Sequence, residues 1–171
     1  MSATFTTTTR FFALILLSLS IVACGFQLRG AINIPERLQT LTLTSASGSD
    51  TFDRALRIAL EQAGVTVIDQ ANATKDTFNL KINNISSSDV ELARNSDNDV
   101  SQVQRTLSSQ YFVRDTSGKA IYGPRTISTS QTLTNQDAEA SSKASYNQAQ
   151  TEKMSETLAD QLLYDLNYAP R

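Results

Sequence analysis

The sequence predicts an α+β domain: two layers, with a four-stranded, mostly antiparallel sheet and two helices packed on one face of it. Three observations carry this reading. Apolar residues recur at helical spacing in two segments, one early (Phe52 to Ala63) and one at the end (Met154 to Leu166). Between them, apolar and polar residues alternate with the period of two that marks half-buried strands. Asp115-Thr116-Ser117-Gly118 then separates two of the alternating runs with the residues a hairpin connection requires.

The elements follow in order. Leu41 and Leu43 alternate with Thr40, Thr42 and Thr44, giving a first strand over Leu38 to Thr44. Asp50 offers an N-cap, Asp53 suits a first helical turn, and Phe52, Leu56, Ala59, Leu60 and Ala63 form one stripe ended by Gly64. Val65 to Ile68 begins the next extended segment. Phe78, Leu80 and Ile82 alternate with Asn79, Lys81 and Asn83, and Val90 and Leu92 are expected to keep that phase. Leu107, Tyr111 and Val113 mark a further strand, with Phe112 facing the other way. Ile121, Ile127 and Leu133 share a face on the return strand, beside Thr126, Ser128, Ser130 and Thr132. Met154, Leu158, Leu162 and Leu166 repeat every four residues in the last helix. Ala138 to Gln150 has little apolar stripe, and reads as a separate helical turn or a loop.

A strand–helix–strand start favours a parallel pair, and the later strands an antiparallel meander. With both helices on one face, the other face is lined by Thr, Ser, Asn and Gln. Such a face is either ordinarily solvated or a wall that meets a partner while staying wet, as in the lumen of a large barrel.

The first 23 residues have the three parts of a secretory signal: Arg10 in the leading segment, an apolar core from Phe11 to Ala23, and small residues before Cys24. The core is shorter than the roughly 20 residues needed to span a bilayer. Cys24, the chain's one cysteine, follows Ile21-Val22-Ala23 and precedes Gly25. This resembles the lipobox of bacterial lipoproteins, with Ile21 where Leu is usual. The resemblance implies a diacylglycerol on the Cys24 thiol, cleavage before Cys24 and acylation of its amine. Gly25 at the sorting position implies export to the outer membrane, with the protein facing the periplasm. An uncleaved signal anchor, or a secreted protein with a chance cysteine, are the alternatives. The division expected is a signal peptide over 1–23, a lipidated tether over 24–37 and one domain over 38–171.

Composition then excludes several chemistries. The chain has 171 residues, with 15 Lys and Arg against 17 Asp and Glu. Loss of Arg10 with the signal leaves a mature chain of net charge −3, unsuited to broad nucleic-acid binding. There is no histidine, and lipidation consumes the lone thiol. A His-based triad, a zinc site with His or Cys ligands and a thiol nucleophile are therefore excluded. Six glycines form no phosphate-cradling cluster. Asp97 and Asp99 remain as a carboxylate pair, but Asn95-Ser96-Asp97-Asn98-Asp99 carries no apolar flank to desolvate either. No enzyme is expected, and no cofactor beyond the covalent lipid on Cys24.

Several of these features together resemble one family, the lipopolysaccharide-assembly lipoprotein LptE. The residues that carry it are Cys24-Gly25-Phe26-Gln27-Leu28-Arg29-Gly30, then Ile34-Pro35 leading into Leu38 to Leu43, then Leu56 and Leu60 with Ala63-Gly64-Val65, and Ile121-Tyr122 after the hairpin glycine. The resemblance implies a membrane-anchored protein that plugs the barrel of LptD, assists its assembly and binds lipopolysaccharide. It also implies basic residues at one end of the sheet as the lipopolysaccharide contact. Arg94, in the pair Arg94-Asn95, and Lys143 stand where the family has such residues, and Arg125 is a third candidate in the locally basic meander. Two other functions compete: a lipoprotein scaffold of another outer-membrane assembly machine, and a periplasmic hydrolase working with carboxylates alone.

Overall fold

The computed structural model of the chain describes residues 34–170. Cys24, Gly25 and the predicted signal segment lie outside the described residues. Ile34, just before a 3₁₀ turn at Glu36–Leu38, and Leu38, the last residue of that turn, pack into the core and lead into β1 (Thr40–Ser45). Helix α1 (Asp50–Gln62) follows, then β2 (Thr66–Ile68), β3 (Phe78–Ile82), β4 (Ser86–Arg94), β5 (Val100–Arg114), β6 (Ala120–Leu133) and helix α2 (Ala140–Leu166).

The sheet has six strands, two more than expected. β1 pairs in parallel with β2 on one side and β3 on the other, as a strand–helix–strand start requires. β3, β4 and β6 all run antiparallel to β5. The extra strands are a short one, β2, and a long one broken in two. β6 occupies one edge of β5 along most of its length, so β3 and β4 succeed each other on the opposite edge. Ile82 faces Tyr111, and the next paired residue, Ser86, faces Ser108. Four steps along β3 and β4 thus match three along β5, and one residue is inserted within Asn83–Ile85.

That insertion corrects one expectation. A one-residue slip turns every following side chain to the other face. Leu80 and Ile82 point into the core, whereas Val90 and Leu92 lie 60% and 50% exposed on the helix-free face. They do not keep the phase of β3.

Helix α1 is capped by Ser49, one residue earlier than expected: its hydroxyl accepts the Phe52 N–H at 3.2 Å, and Asp50 is the first helical residue. The Asp53 carboxylate accepts hydrogen bonds from Ser45 and Ser47, which ties the first turn to the end of β1. Gly64, at φ +81°, ends the helix with the Val65 N–H bonded back to Leu60.

Helix α2 is continuous from Ala140, so its Ala/Ser/Gln-rich first half is neither a loop nor a separate turn. Polar contacts replace the missing apolar stripe there. Gln136 and Asn147 exchange amide hydrogen bonds, Gln131 donates to Gln150, and Tyr146 reaches Thr134. From Met154 onward apolar packing takes over. Leu158, Leu162 and Leu166 are buried against Leu41, Leu56, Leu60 and Tyr111 in one core under both helices. Each such leucine contributes about 1.5–3 kcal/mol by leaving water.

Candidate functional site

Alternation places odd-numbered residues of β5, and of β6 from Arg125 onward, under the helices and even-numbered ones on the helix-free face; a register shift before Arg125 turns Tyr122 to the helix side. Across β4, β5 and β6 that second face is built in rows: Ser86, Ser108 and Ser128; Ser88, Thr106 and Ser130; Val90, Gln104 and Thr132. Ser86 and Ser108 share a hydrogen bond at 2.9 Å, and Thr106 and Ser130 another at 2.8 Å. No ionisable group occurs in these rows. These rows are wettable and uncharged, and the exposed Val90 and Leu92 give them an apolar margin.

One end of the sheet gathers two of the candidate cations. The β4–β5 turn is organised by Asn95, whose side-chain oxygen accepts the N–H groups of Asp97 and Asp99 at 3.0 and 2.9 Å. Its amide nitrogen donates to Asp137 at 3.2 Å, which joins the turn to the segment before α2. The Gln136 N–H, bonded to the Ser101 carbonyl, reinforces the junction. Arg94 enters this turn from β4, with one nitrogen 2.5 Å from Glu91 and another donating to the Asn98 carbonyl at 2.8 Å. Both partners of the Arg94–Glu91 pair are about half exposed, so solvent screens it and the guanidinium can exchange partners.

Lys143 stands in the first turn of α2, at the same end. The helix start has no acidic residue in its first turn and no side-chain cap from Glu139. Lys143 forms no ion pair among the described residues. A cation there opposes the helix dipole, so it is not placed for helix stability. Glu91, Asp97, Asp99, Asp137 and Glu139 lie in the surrounding segments, so carboxylates outnumber Arg94 and Lys143 at this end. Asp97 and Asp99 are exposed in the turn, without the desolvation that carboxylate catalysis needs.

Arg125 is set apart from these two. It pairs with Asp165 through two nitrogens, at 2.6 and 3.0 Å, near the far end of α2. Lys143 and Asp165 are 22 residues apart on one helix, about 33 Å at 1.5 Å per residue. Asp165 also accepts the buried Tyr111 hydroxyl at 2.7 Å, and Tyr122 stacks on Arg125. The Arg125 hydrogen bonds, helped by Tyr111, hold the Asp165 carboxyl below the usual range. Burial first, and Asp165 second, push the Tyr111 phenol far above its ordinary value.

Two arrangements went unseen in the sequence. Arg105 and Asp89 form a two-pronged pair at 2.7 and 2.8 Å across β5 and β4, and Arg105 also reaches Thr151 on α2. Arg105 lowers the Asp89 carboxyl and is itself raised by it. Ser49, Asn147, Gln148 and Ser155 complete a polar cleft of about 300 Å³ around Arg105. The other is a pair of cations on the helix-free face, Lys81 and Arg114, separated in sequence by 33 residues and joined only by strand register. No signal in the sequence marks either, since cross-strand neighbours are set by register alone. Among the described residues, no helix is long and apolar enough to cross a membrane.

Residues 38–166 match the LptE family, described as lipopolysaccharide-assembly. The chain belongs to the LptE family. It is 30% identical over 159 residues to the LPS-assembly lipoprotein LptE of Pectobacterium atrosepticum, covering 92% of this chain and 85% of that protein. Two solved structures share its fold. A minor lipoprotein from Acinetobacter baumannii superposes with a TM-score of 0.64 at 18% identity, covering 76% of this chain and 91% of that one. The rare lipoprotein B of Shewanella oneidensis gives 0.62 at 20% identity, covering 74% and 92%. As an LptE-family protein the chain is a non-enzymatic lipoprotein of lipopolysaccharide assembly, associated with the outer membrane.

Proposed function

We propose that this LptE-family protein is anchored by acyl chains on Cys24, plugs and helps assemble the LptD barrel, and binds lipopolysaccharide through Arg94 and Lys143. The observation that carries the ligand assignment is the Asn95–Asp137 hydrogen bond, which holds the Arg94 turn against the start of α2 where Lys143 sits. Lipopolysaccharide bears phosphates and carboxylates, for which Arg and Lys donors at a helix N-terminus are suited. Arg125 is left out of the contact because Asp165 already takes both prongs of its guanidinium.

The uncharged Ser/Thr/Gln rows of β4, β5 and β6 support the barrel partner. They meet a wet, polar wall without leaving a charge unpaired on either side. Acyl chains on Cys24 hold the domain at the membrane with about 0.8 kcal/mol per buried methylene, so no spanning helix is needed.

Two experiments test this. Mature protein tagged after Arg171 is purified in mild detergent and the accompanying barrel identified by mass spectrometry. Recovery of LptD near 1:1 supports the plug; recovery of a different outer-membrane machine selects the scaffold reading instead. Lipopolysaccharide capture is then compared with the variant carrying Arg94→Asp and Lys143→Glu. Undiminished capture sinks the site assignment.

A further inference from the structure

The helix-free face changes character at the end opposite Arg94. Lys81 on β3 lies directly across from Phe112 on β5, and Asn79 directly across from Arg114. Lys81 and Arg114 are therefore diagonal neighbours about 7–8 Å apart at the backbone. The Arg114 guanidinium sits 4.9 Å from the centre of that ring. Neither cation forms an ion pair among the described residues. The Arg114 Nε is buried and has no hydrogen-bond partner.

An orphaned buried N–H costs about 1–3 kcal/mol relative to a satisfied one, so such groups are normally paired. The nearest acid in sequence does not meet it. Asp115 is engaged by Ser117 and by the Lys119 N–H within the hairpin turn. Thr44 lies beside Lys81 on the neighbouring strand, and its hydroxyl accepts the Asn79 amide at 2.9 Å. The result is two cations without an ion pair, one of them with an unsatisfied donor and resting on an aromatic ring. A phosphate group bridges the two cations, meeting Arg114 at its terminal guanidinium nitrogens, and the ring gives the attached glycerol or acyl segment an apolar rest.

We infer that Lys81, Arg114 and Phe112 form a second anion site, which takes the phosphate of a phospholipid headgroup. The described chain starts at the same end: Leu41 of β1 pairs with Phe78, two residues before Leu80 and close to Ile34 in the chain. Cys24 is ten residues before Ile34, a span of at most about 35 Å. This part of the argument rests on the lipidated-anchor reading above, which brings this end within reach of the leaflet. The site itself is independent of Arg94 and Lys143, which lie at the other end of the sheet.

The test follows the Arg114 Nε–H resonance of mature, detergent-solubilised protein by NMR. The protein is titrated with dihexanoyl phosphatidylglycerol, with dihexanoylglycerol lacking the phosphate, and with inorganic phosphate. A saturable shift with phosphatidylglycerol, absent with dihexanoylglycerol, is expected. Lys81→Glu should weaken the apparent affinity about tenfold, as expected for reversing one charge-assisted contact. The Arg94→Asp, Lys143→Glu variant should titrate like the parent, which separates failure of this site from failure of the lipopolysaccharide site. Absence of a saturable shift, or a shift indifferent to Lys81→Glu, overturns the inference. An equal response to inorganic phosphate overturns the lipid assignment in favour of a free anion. A shift seen only when the barrel partner is bound, without phospholipid, assigns the cations to an acidic protein surface and also overturns it.

Discussion

The Tyr111 hydroxyl donates to the Asp165 carboxylate at 2.7 Å, joining the buried middle of the sheet to the last turn of α2. Asp165 receives Arg125 on its other side, and the Tyr122 hydroxyl reaches the Asp165 backbone carbonyl at 3.3 Å. One carboxylate thus holds β5, β6 and α2 together at the end of the domain where the described chain also begins. Tyr111→Phe keeps the ring and removes only the donor. It should lower stability by about 1.5–3 kcal/mol, a typical loss for a hydrogen bond to a charged group. Asp165→Ala should cost more, because it leaves the Tyr111 hydroxyl buried without a partner. Urea unfolding of both variants, compared at equal slope, checks the order.

The same carboxylate predicts how stability responds to acid. Its folded-state pKa is lowered, chiefly by Arg125, below the unfolded value of about 3.9. Its contribution is therefore complete above that value and is lost as pH falls through the folded value. Asp89, lowered by Arg105, acts in the same direction. Stability should fall as pH drops from about 4, and the variant carrying Asp165→Asn and Asp89→Asn should show a shallower fall. Melting temperatures measured between pH 6 and 2.5 decide this; parallel curves for the two proteins would refute it.

Most of the architecture was legible because it follows from period. Leu41, the α1 residues Phe52, Leu56, Ala59 and Leu60, Leu107 to Val113 and the Met154 to Leu166 stripe bury the side that their spacing indicates. In β1, by contrast, Leu43 is only partly buried and Thr42, on the other side, is closed off from solvent. What the sequence concealed was register. Nothing in Asn83-Asn84-Ile85 announces an inserted residue, since polar side chains break an alternation without recording where it resumes. The same limit hid Lys81 beside Phe112 and Arg114, and Asp89 beside Arg105, because cross-strand neighbours are set by pairing alone. The start of α2 was obscured for a different reason. Its hold on the sheet is made by amides and hydroxyls, which leave no hydrophobic period to read.

The inserted residue gives a sharp contrast between two leucines on strands that succeed each other along one edge of β5. Leu92→Asp places a charge on an exposed position, and stability should change by no more than about 0.5 kcal/mol. Leu80→Asp places the same charge in the closed core and should prevent folding. Circular dichroism melts distinguish the two outcomes directly. Comparable destabilisation by both would mean that β4 keeps the phase of β3 and that no residue is inserted.

Asn95 offers the last test, because it serves both the turn and the junction with α2. Asn95→Ala removes the acceptor for the Asp97 and Asp99 N–H groups and the donor to Asp137 together. The exposed turn should open locally, with faster amide exchange over residues 95–99 and 134–139, while the Leu158 and Leu162 region stays protected. Arg94 depends on that turn through its bond to the Asn98 carbonyl. Lipopolysaccharide capture should therefore weaken although neither proposed contact residue has changed. Asn95→Asp separates the roles: its carboxylate still accepts the turn N–H groups but cannot donate to Asp137 and faces it as a like charge. Capture lost in Asn95→Asp as fully as in Asn95→Ala would place the requirement at the junction with α2; capture retained would place it in the turn around Arg94.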